Sequence, residues 1–78
     1  MEIKKVKDSI RDLTFEIVGR KHISFRKPLR KIGLESLSFV ELVVKIENLY
    51  EIEFASDEVC RFKNLHAVVV YVKNKVKR

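Results

Sequence analysis

The sequence predicts an all-α domain with three main helices and one short helix, and three observations carry that prediction. Apolar residues recur at helical spacing over residues 3–18, 36–50 and 65–75. The β-branched run Ala67-Val68-Val69-Val70-Tyr71-Val72 favours a strand on propensity alone, but a lone strand has no partner in this chain, so helix is preferred. A chain of 78 residues is expected to form one domain, residues 1–78. Such a domain buries about 60% of its unfolded surface, which leaves little room for a deep enclosed active site.

Taken in order, residues 3–18 place Ile3, Val6, Ile10, Leu13, Ile17 and Val18 on one side of a helix, with Lys4, Lys7, Asp8, Arg11 and Asp12 between them. Gly19 is a plausible stop. Residues 20–35 have no period and read as a long loop with Pro28, Gly33 and three basic pairs, Arg20-Lys21, Arg26-Lys27 and Arg30-Lys31. Loops of this length are uncommon in compact domains and tend to be functional. Phe25, Leu29, Ile32 and Leu34 are expected to pin it to the core.

Residues 36–50 give the clearest helix. Ser36 suits an N-cap or a first-turn position, with Glu35 beside it at the positive end of the dipole. Phe39, Leu42, Val43, Ile46, Leu49 and Tyr50 share an arc about 120° wide, the expected core face. Ser36, Leu37, Val40, Glu41, Val44, Glu47 and Asn48 fall opposite. Apolar residues framed by carboxylates on an outer face read as a small binding patch. Glu51 to Phe54 alternates too briefly for a strand. Ser56 is expected to cap a short helix through Asp57 and Glu58, and Asn64 to cap the last one. The last helix has Leu65, Val68, Val69, Val72 and Val76 as its apolar members, with Lys73, Lys75, Lys77 and Arg78 suited to its C-terminus.

Charge is strongly segregated along the chain. The net +6 and a pI of 9.7 suggest a nucleic-acid partner. Yet residues 1–34 carry +6, residues 35–58 carry −6 and residues 59–78 carry +6. A simple nucleic-acid binder has no use for a block that repels phosphate. The acidic middle points instead to a docking surface for basic partners, or on a blander reading to a solvated acidic helix face. One Cys excludes an internal disulfide and fits a reducing compartment. The start has no apolar stretch of signal-peptide length, and the longest apolar run falls far below the roughly 20 residues of a membrane helix. A cytoplasmic monomer is expected.

The stretch Gly33-Leu34-Glu35-Ser36-Leu37-Ser38-Phe39-Val40-Glu41-Leu42-Val43-Val44 resembles the prosthetic-group attachment region of acyl carrier proteins, and Lys45 to Phe54 is similar to the family's second-helix ending. The family pattern is a Gly, a spacer, Asp-Ser-Leu, then Val-Glu-Leu along the second helix. The resemblance covers nearly the whole chain and implies a four-helix bundle of acyl-carrier type, with a long loop between helices 1 and 2. It implies a 4′-phosphopantetheine arm, taken from coenzyme A by a phosphopantetheinyl transferase and attached to the Ser36 hydroxyl between Glu35 and Leu37. The arm's thiol would carry acyl groups as thioesters between acyl-transferring or condensing enzymes, the carrier performing no catalysis itself. Leu37, Val40, Glu41, Val44, Glu47 and Asn48 would meet the basic docking surfaces of those enzymes. Glu35 replaces the usual Asp, Ser38-Phe39 replaces an acid often found after Ser-Leu, and only the middle of the chain is acidic. These departures set a polyketide, aminoacyl or unusual lipid pathway beside the fatty-acid role.

Two rivals stand beside this reading: a basic helical nucleic-acid-binding domain, and a carrier-like scaffold that is never modified. His22 and His66 show no metal-ligand spacing, and there is no Gly-rich phosphate loop. His22 is expected to face solvent in the loop and His66 to lie in the first turn of the last helix. Cys60 is expected to be a half-buried filler. Lys4, Lys7 and Arg11 share a helix face, either as a solvated surface or as contacts for a phosphate-rich partner.

Overall fold

The computed structural model describes residues 3–19 and 22–76, with side chains of the first helix described from Val6 onward. Helix α1 spans Ile3–Val18, α2 spans Ser36–Tyr50, α3 spans Ser56–Val59 and α4 spans Leu65–Val76. A short 3₁₀ helix, Leu29–Ile32, interrupts the loop between α1 and α2. The described residues contain no strand, so the expected all-α architecture of three main helices and one short one is what the chain adopts. Expectations for the side chains of Ile3 and Lys4, for Arg20-Lys21, and for Lys77 and Arg78 lie outside the described residues.

Helix α1 packs against both α2 and α4. Val6 and Ile10 are buried to within 1% of complete, and one turn further Thr14 is fully buried too. Thr14 belongs to the inner stripe because 6, 10 and 14 are each one turn apart. Its Oγ1 donates to the Ile10 carbonyl at 2.7 Å, which satisfies the hydroxyl inside the apolar stripe. The helix ends at Gly19, whose N–H reaches the Phe15 carbonyl at 2.7 Å with φ +71°.

Phe39, Leu42, Val43 and Ile46 of α2 meet Leu65, Val68, Val69 and Val72 of α4 in the same buried core. Tyr50 packs against it half-buried. Leu49 is 54% exposed and leaves the predicted core arc. At 100° per residue it sits about 20° beyond Leu42, on the arc's edge, in the helix's last turn. Asn64 caps α4 as expected, its Oδ1 accepting from the Ala67 N–H at 2.9 Å. Ser56 does not cap α3. It is the first helical residue, and Ala55 precedes it in extended conformation, its carbonyl accepting from Glu58 and Val59 at 3.0 Å each. From inside the first turn a seryl hydroxyl cannot reach the N–H groups ahead of it.

The α1–α2 loop is fastened to the body. Ile32 and Leu34 are buried, and Phe25 and Leu29 pack against the core half-buried. Lys7 Nζ and Arg11 Cζ lie 5.2 and 5.4 Å from the Phe25 ring centroid, so part of α1's basic face holds the loop by cation–π attraction. At the end of the 3₁₀ helix Gly33 has φ +93°, a region other residues enter at a cost. A Cβ there would also meet Val18 Cγ1 at 3.3 Å.

Candidate functional site

Gly33 turns the chain so that Leu34 enters the core and Glu35 and Ser36 come out to the surface at the head of α2. Glu35 occupies the capping position with φ −107° and ψ 177°, and its carboxylate makes no bond to the first-turn amides. Ser36 is therefore the first helical residue, and its hydroxyl is exposed. The head of this 15-residue helix keeps its partial positive charge without a capping side chain. An exposed hydroxyl on such a helix end suits a phosphodiester, because free N–H groups and the dipole favour the anion.

Along the outer side of α2, Leu37 is 84% exposed, Val40 49% and Val44 46%. Glu41 and Asn48 are exposed on the same side. These residues follow one another at intervals of three and four, so they form one stripe running away from Ser36. Such a stripe of bare apolar groups beside a carboxylate is costly to leave in water and is suited to an apolar, basic counterpart.

Glu47 was expected in this stripe, and its side chain has a second engagement. Its Oε2 accepts from the Phe54 N–H at 2.9 Å, and its carbonyl accepts from Ile52 at 3.2 Å. Glu47 thus ties the α2–α3 connection to the helix. That connection begins at Glu51, in left-handed conformation with φ 56° and ψ 48°.

Between α2 and α3 lies a hollow of about 280 Å³ lined by Val40, Val43, Val44, Phe54 and Val59, with Glu47 and Ser56 at its polar side. Sequence reasoning placed Val40 and Val44 only on the outer patch. They also wall this hollow because the four-residue α3 lies across one flank of the same stripe. The signal was present in Phe54 and Val59, apolar residues just before and within a predicted short helix.

Helix α3 has no fully buried residue; Val59 packs half-buried against the core, and an aromatic cluster beside the helix supplies one hydrogen bond to it. Phe54, Phe62 and Tyr71 form a mutually packed triplet with centroids 4.8 to 5.8 Å apart, and Phe39 joins it through Phe62 at 6.2 Å. The Tyr71 hydroxyl donates to Glu58 Oε1 at 2.5 Å. Burial first, and then this bond and the Glu58 charge, push the Tyr71 phenol up to about 12. The phenol therefore stays protonated and donating across the physiological range.

His22 and His66 are exposed, in the loop and in the first turn of α4 as expected. Cys60 is exposed on the turn after α3, not half-buried, because that turn faces away from the core. No group of three His, Cys, Asp or Glu that would hold a metal occurs among the described residues. No described helix is long and apolar enough to cross a membrane.

The chain is similar to known proteins of one family. The phosphopantetheine attachment site family profile matches residues 8–72. An acyl carrier protein homolog of Mycoplasma genitalium is 32% identical over 71 residues, covering 90% of this chain and 82% of the relative. An acyl carrier protein of Phytoplasma mali is 25% identical over 60 residues, covering 76% of this chain and 71% of the relative.

Proposed function

The chain belongs to the acyl carrier protein family, whose prosthetic group is 4′-phosphopantetheine, and from that premise we propose that Ser36 bears the arm. The observation that carries this reading is an exposed Ser36 hydroxyl at the uncapped head of α2. In loading, the Ser36 oxygen forms the new bond to phosphorus and its proton passes to a base on the transferase. The other half of coenzyme A departs as adenosine 3′,5′-bisphosphate. Glu35 and Leu37 flank the attachment point and are exposed to the transferase. Once bound, the arm supplies a thiol that holds an acyl group as a thioester.

The protein itself works as a carrier and not as an enzyme, a single domain over residues 1–78 that acts as a cytoplasmic monomer. Leu37, Val40, Glu41, Val44 and Asn48 dock acyl-transferring or condensing enzymes that present a basic surface. Glu47 contributes charge to that face while holding the α2–α3 connection. The hollow between α2 and α3 is the place for the first carbons of an apolar cargo, walled by Val40, Val43, Val44, Phe54 and Val59. The basic flanks and the Glu35-Ser36-Leu37-Ser38 sequence set a specialised lipid, polyketide or aminoacyl pathway beside the fatty-acid role.

The test is intact mass after incubation with coenzyme A and a broad-specificity phosphopantetheinyl transferase. One arm is expected on the wild type and none on Ser36→Ala. A wild type left unmodified by several transferases would overturn the reading in favour of an unmodified scaffold.

A further inference from the structure

A groove of about 450 Å³ opens between the α1–α2 loop and the segment leading into α4. Arg26, Arg30 and Lys63 rim it, and Leu29, Leu34 and Phe62 are among the apolar residues of its floor. All three cations are exposed, and no described acid pairs with any of them. Glu41, in the middle of the α2 stripe, is likewise exposed and in no described ion pair. Each surface therefore sets apolar groups beside charges that no described residue of its own chain pairs, and the two signs are opposite.

The groove's walls are tied together by backbone. Leu29 N–H donates to the Lys63 carbonyl at 3.1 Å, and His66 N–H donates to the Phe25 carbonyl at 3.0 Å. Asn64 Nδ2 donates to the Arg26 carbonyl at 3.5 Å. Two distant stretches of chain are thereby held side by side, and the three cations stay gathered although they repel one another. Like charges fixed in one concavity attract a surface of the opposite sign. A backbone already in place lowers the ordering cost of association.

We infer that the groove receives the α2 stripe of a second copy of this chain, so that the protein associates reversibly with itself as its concentration rises. Charge and apolar complementarity carry the inference. Leu37, Val40 and Val44 of one copy would lie over Leu29, Leu34 and Phe62 of the other, while Glu41 meets the cationic rim. A phosphate polymer or an anionic bilayer would answer the groove and leave the stripe bare; the chain itself answers both. From Leu37 to Val44 the stripe runs only about 10 Å. The contact therefore belongs with weak, transient interfaces, which bury under about 1,200 Å² in total, and dilute protein is monomeric. Leu37 adjoins Ser36, so a copy seated on the stripe would shield Ser36 from the transferase. That consequence alone rests on the reading of Ser36 as the attachment point.

The experiment follows translational diffusion and backbone amide resonances of the unmodified, isotope-labelled protein from about 20 μM to about 1 mM at low salt. Diffusion should slow, and the amides of Arg30, Leu34, Leu37, Glu41 and Lys63 should shift together along one binding curve. Salt at about 0.5 M should weaken the association about tenfold, because exposed charges are screened. Glu41→Lys alone, and Arg30→Glu with Lys63→Glu in one chain, should each stay monomeric at about 1 mM while keeping the helical circular dichroism of the wild type. Mixed in equal amounts the two variants should associate again, since each supplies the surface that the other has lost. Ser36→Ala should associate like the wild type. Shifts independent of concentration, association indifferent to salt or to these substitutions, or a mixture that stays monomeric would overturn the inference. Tighter binding of the wild type to duplex DNA or to anionic phospholipid vesicles than to itself would overturn it in favour of a phosphate surface. Self-association without loading by any transferase would sink the Ser36 reading alone; loading without self-association would sink only the contact between copies.

Discussion

Two surfaces meet at Ser36, and they are built in different ways. The α2 stripe of Leu37, Val40, Glu41 and Val44 is a single helix face, its order imposed by intervals of three and four. The groove of Arg26, Arg30 and Lys63 is assembled from two distant stretches by hydrogen bonds among Phe25, Arg26, Leu29, Lys63, Asn64 and His66. The first is acidic and apolar, the second basic, and Ser36 lies between them in sequence, after Leu34 of the groove and before Leu37 of the stripe. A net charge of +6 says nothing of this division. What a partner meets depends on the side from which it approaches.

The substitution with the largest expected effect strikes the hinge shared by both surfaces. Gly33→Ala forces a Cβ onto a φ of +93° and against Val18. It should cost about 2 kcal/mol in urea unfolding, combining backbone strain with a tight contact. A loss under a few tenths would mean that Ser36 is not held by this turn.

Next, Glu47 and Glu41 separate structure from docking within the stripe. Glu47→Ala leaves the Phe54 N–H without its acceptor and should cost about 1–2 kcal/mol. Glu41→Ala, on an exposed position, should stay within about 0.5 kcal/mol and slow partner enzymes instead. Equal losses for the two in thermal melts would erase the distinction.

A smaller effect concerns the tether of α3. The Tyr71 phenol is raised from 10.0 to about 12 in the folded state, so the unfolded chain ionises first. The stability it contributes is complete below pH 10 and is lost as pH rises through about 12. Tyr71→Phe should remove that alkaline decline and cost about 1 kcal/mol at neutral pH. Melts across pH 9 to about 12 read both, and an unchanged alkaline slope in the variant would assign the decline to other groups.

The smallest is a gain. Glu51 holds a left-handed conformation, φ 56°, that Gly adopts freely. Glu51→Gly should add about 0.5 kcal/mol, strain relief exceeding the extra unfolded-state entropy. A destabilised variant would show that the Glu51 side chain has packing worth more than its strain.

The fold was legible wherever one period ran long enough. Val6, Ile10, Phe39, Leu42, Ile46, Val68 and Val72 all lie in the core that their spacing predicts. Leu49 failed because an arc has edges, and Thr14 was missed because its hydroxyl masked a core position one turn beyond Ile10. The geometry of the candidate site was legible in part for the same reason. The motif from Gly33 to Val44 marks Ser36 and the stripe. The basic groove was not, since its hydrogen bonds join residues whose neighbourhood exists only after folding. The hollow under α3 likewise depends on where four residues come to rest.

That short helix has a thermodynamic consequence. With Val59 only half-buried against the core and one side-chain hydrogen bond, from the Tyr71 phenol, Ser56–Val59 has little to lose by detaching. Its opening free energy should fall well below that of global unfolding, so it behaves as a separate low-stability cooperative unit. In native-state hydrogen exchange its amides would trade with solvent through local opening while those of Leu42 and Val68 wait for the whole bundle. The hollow, about 280 Å³ at rest, then has a fluctuating wall, and its capacity is an average over the positions of that wall.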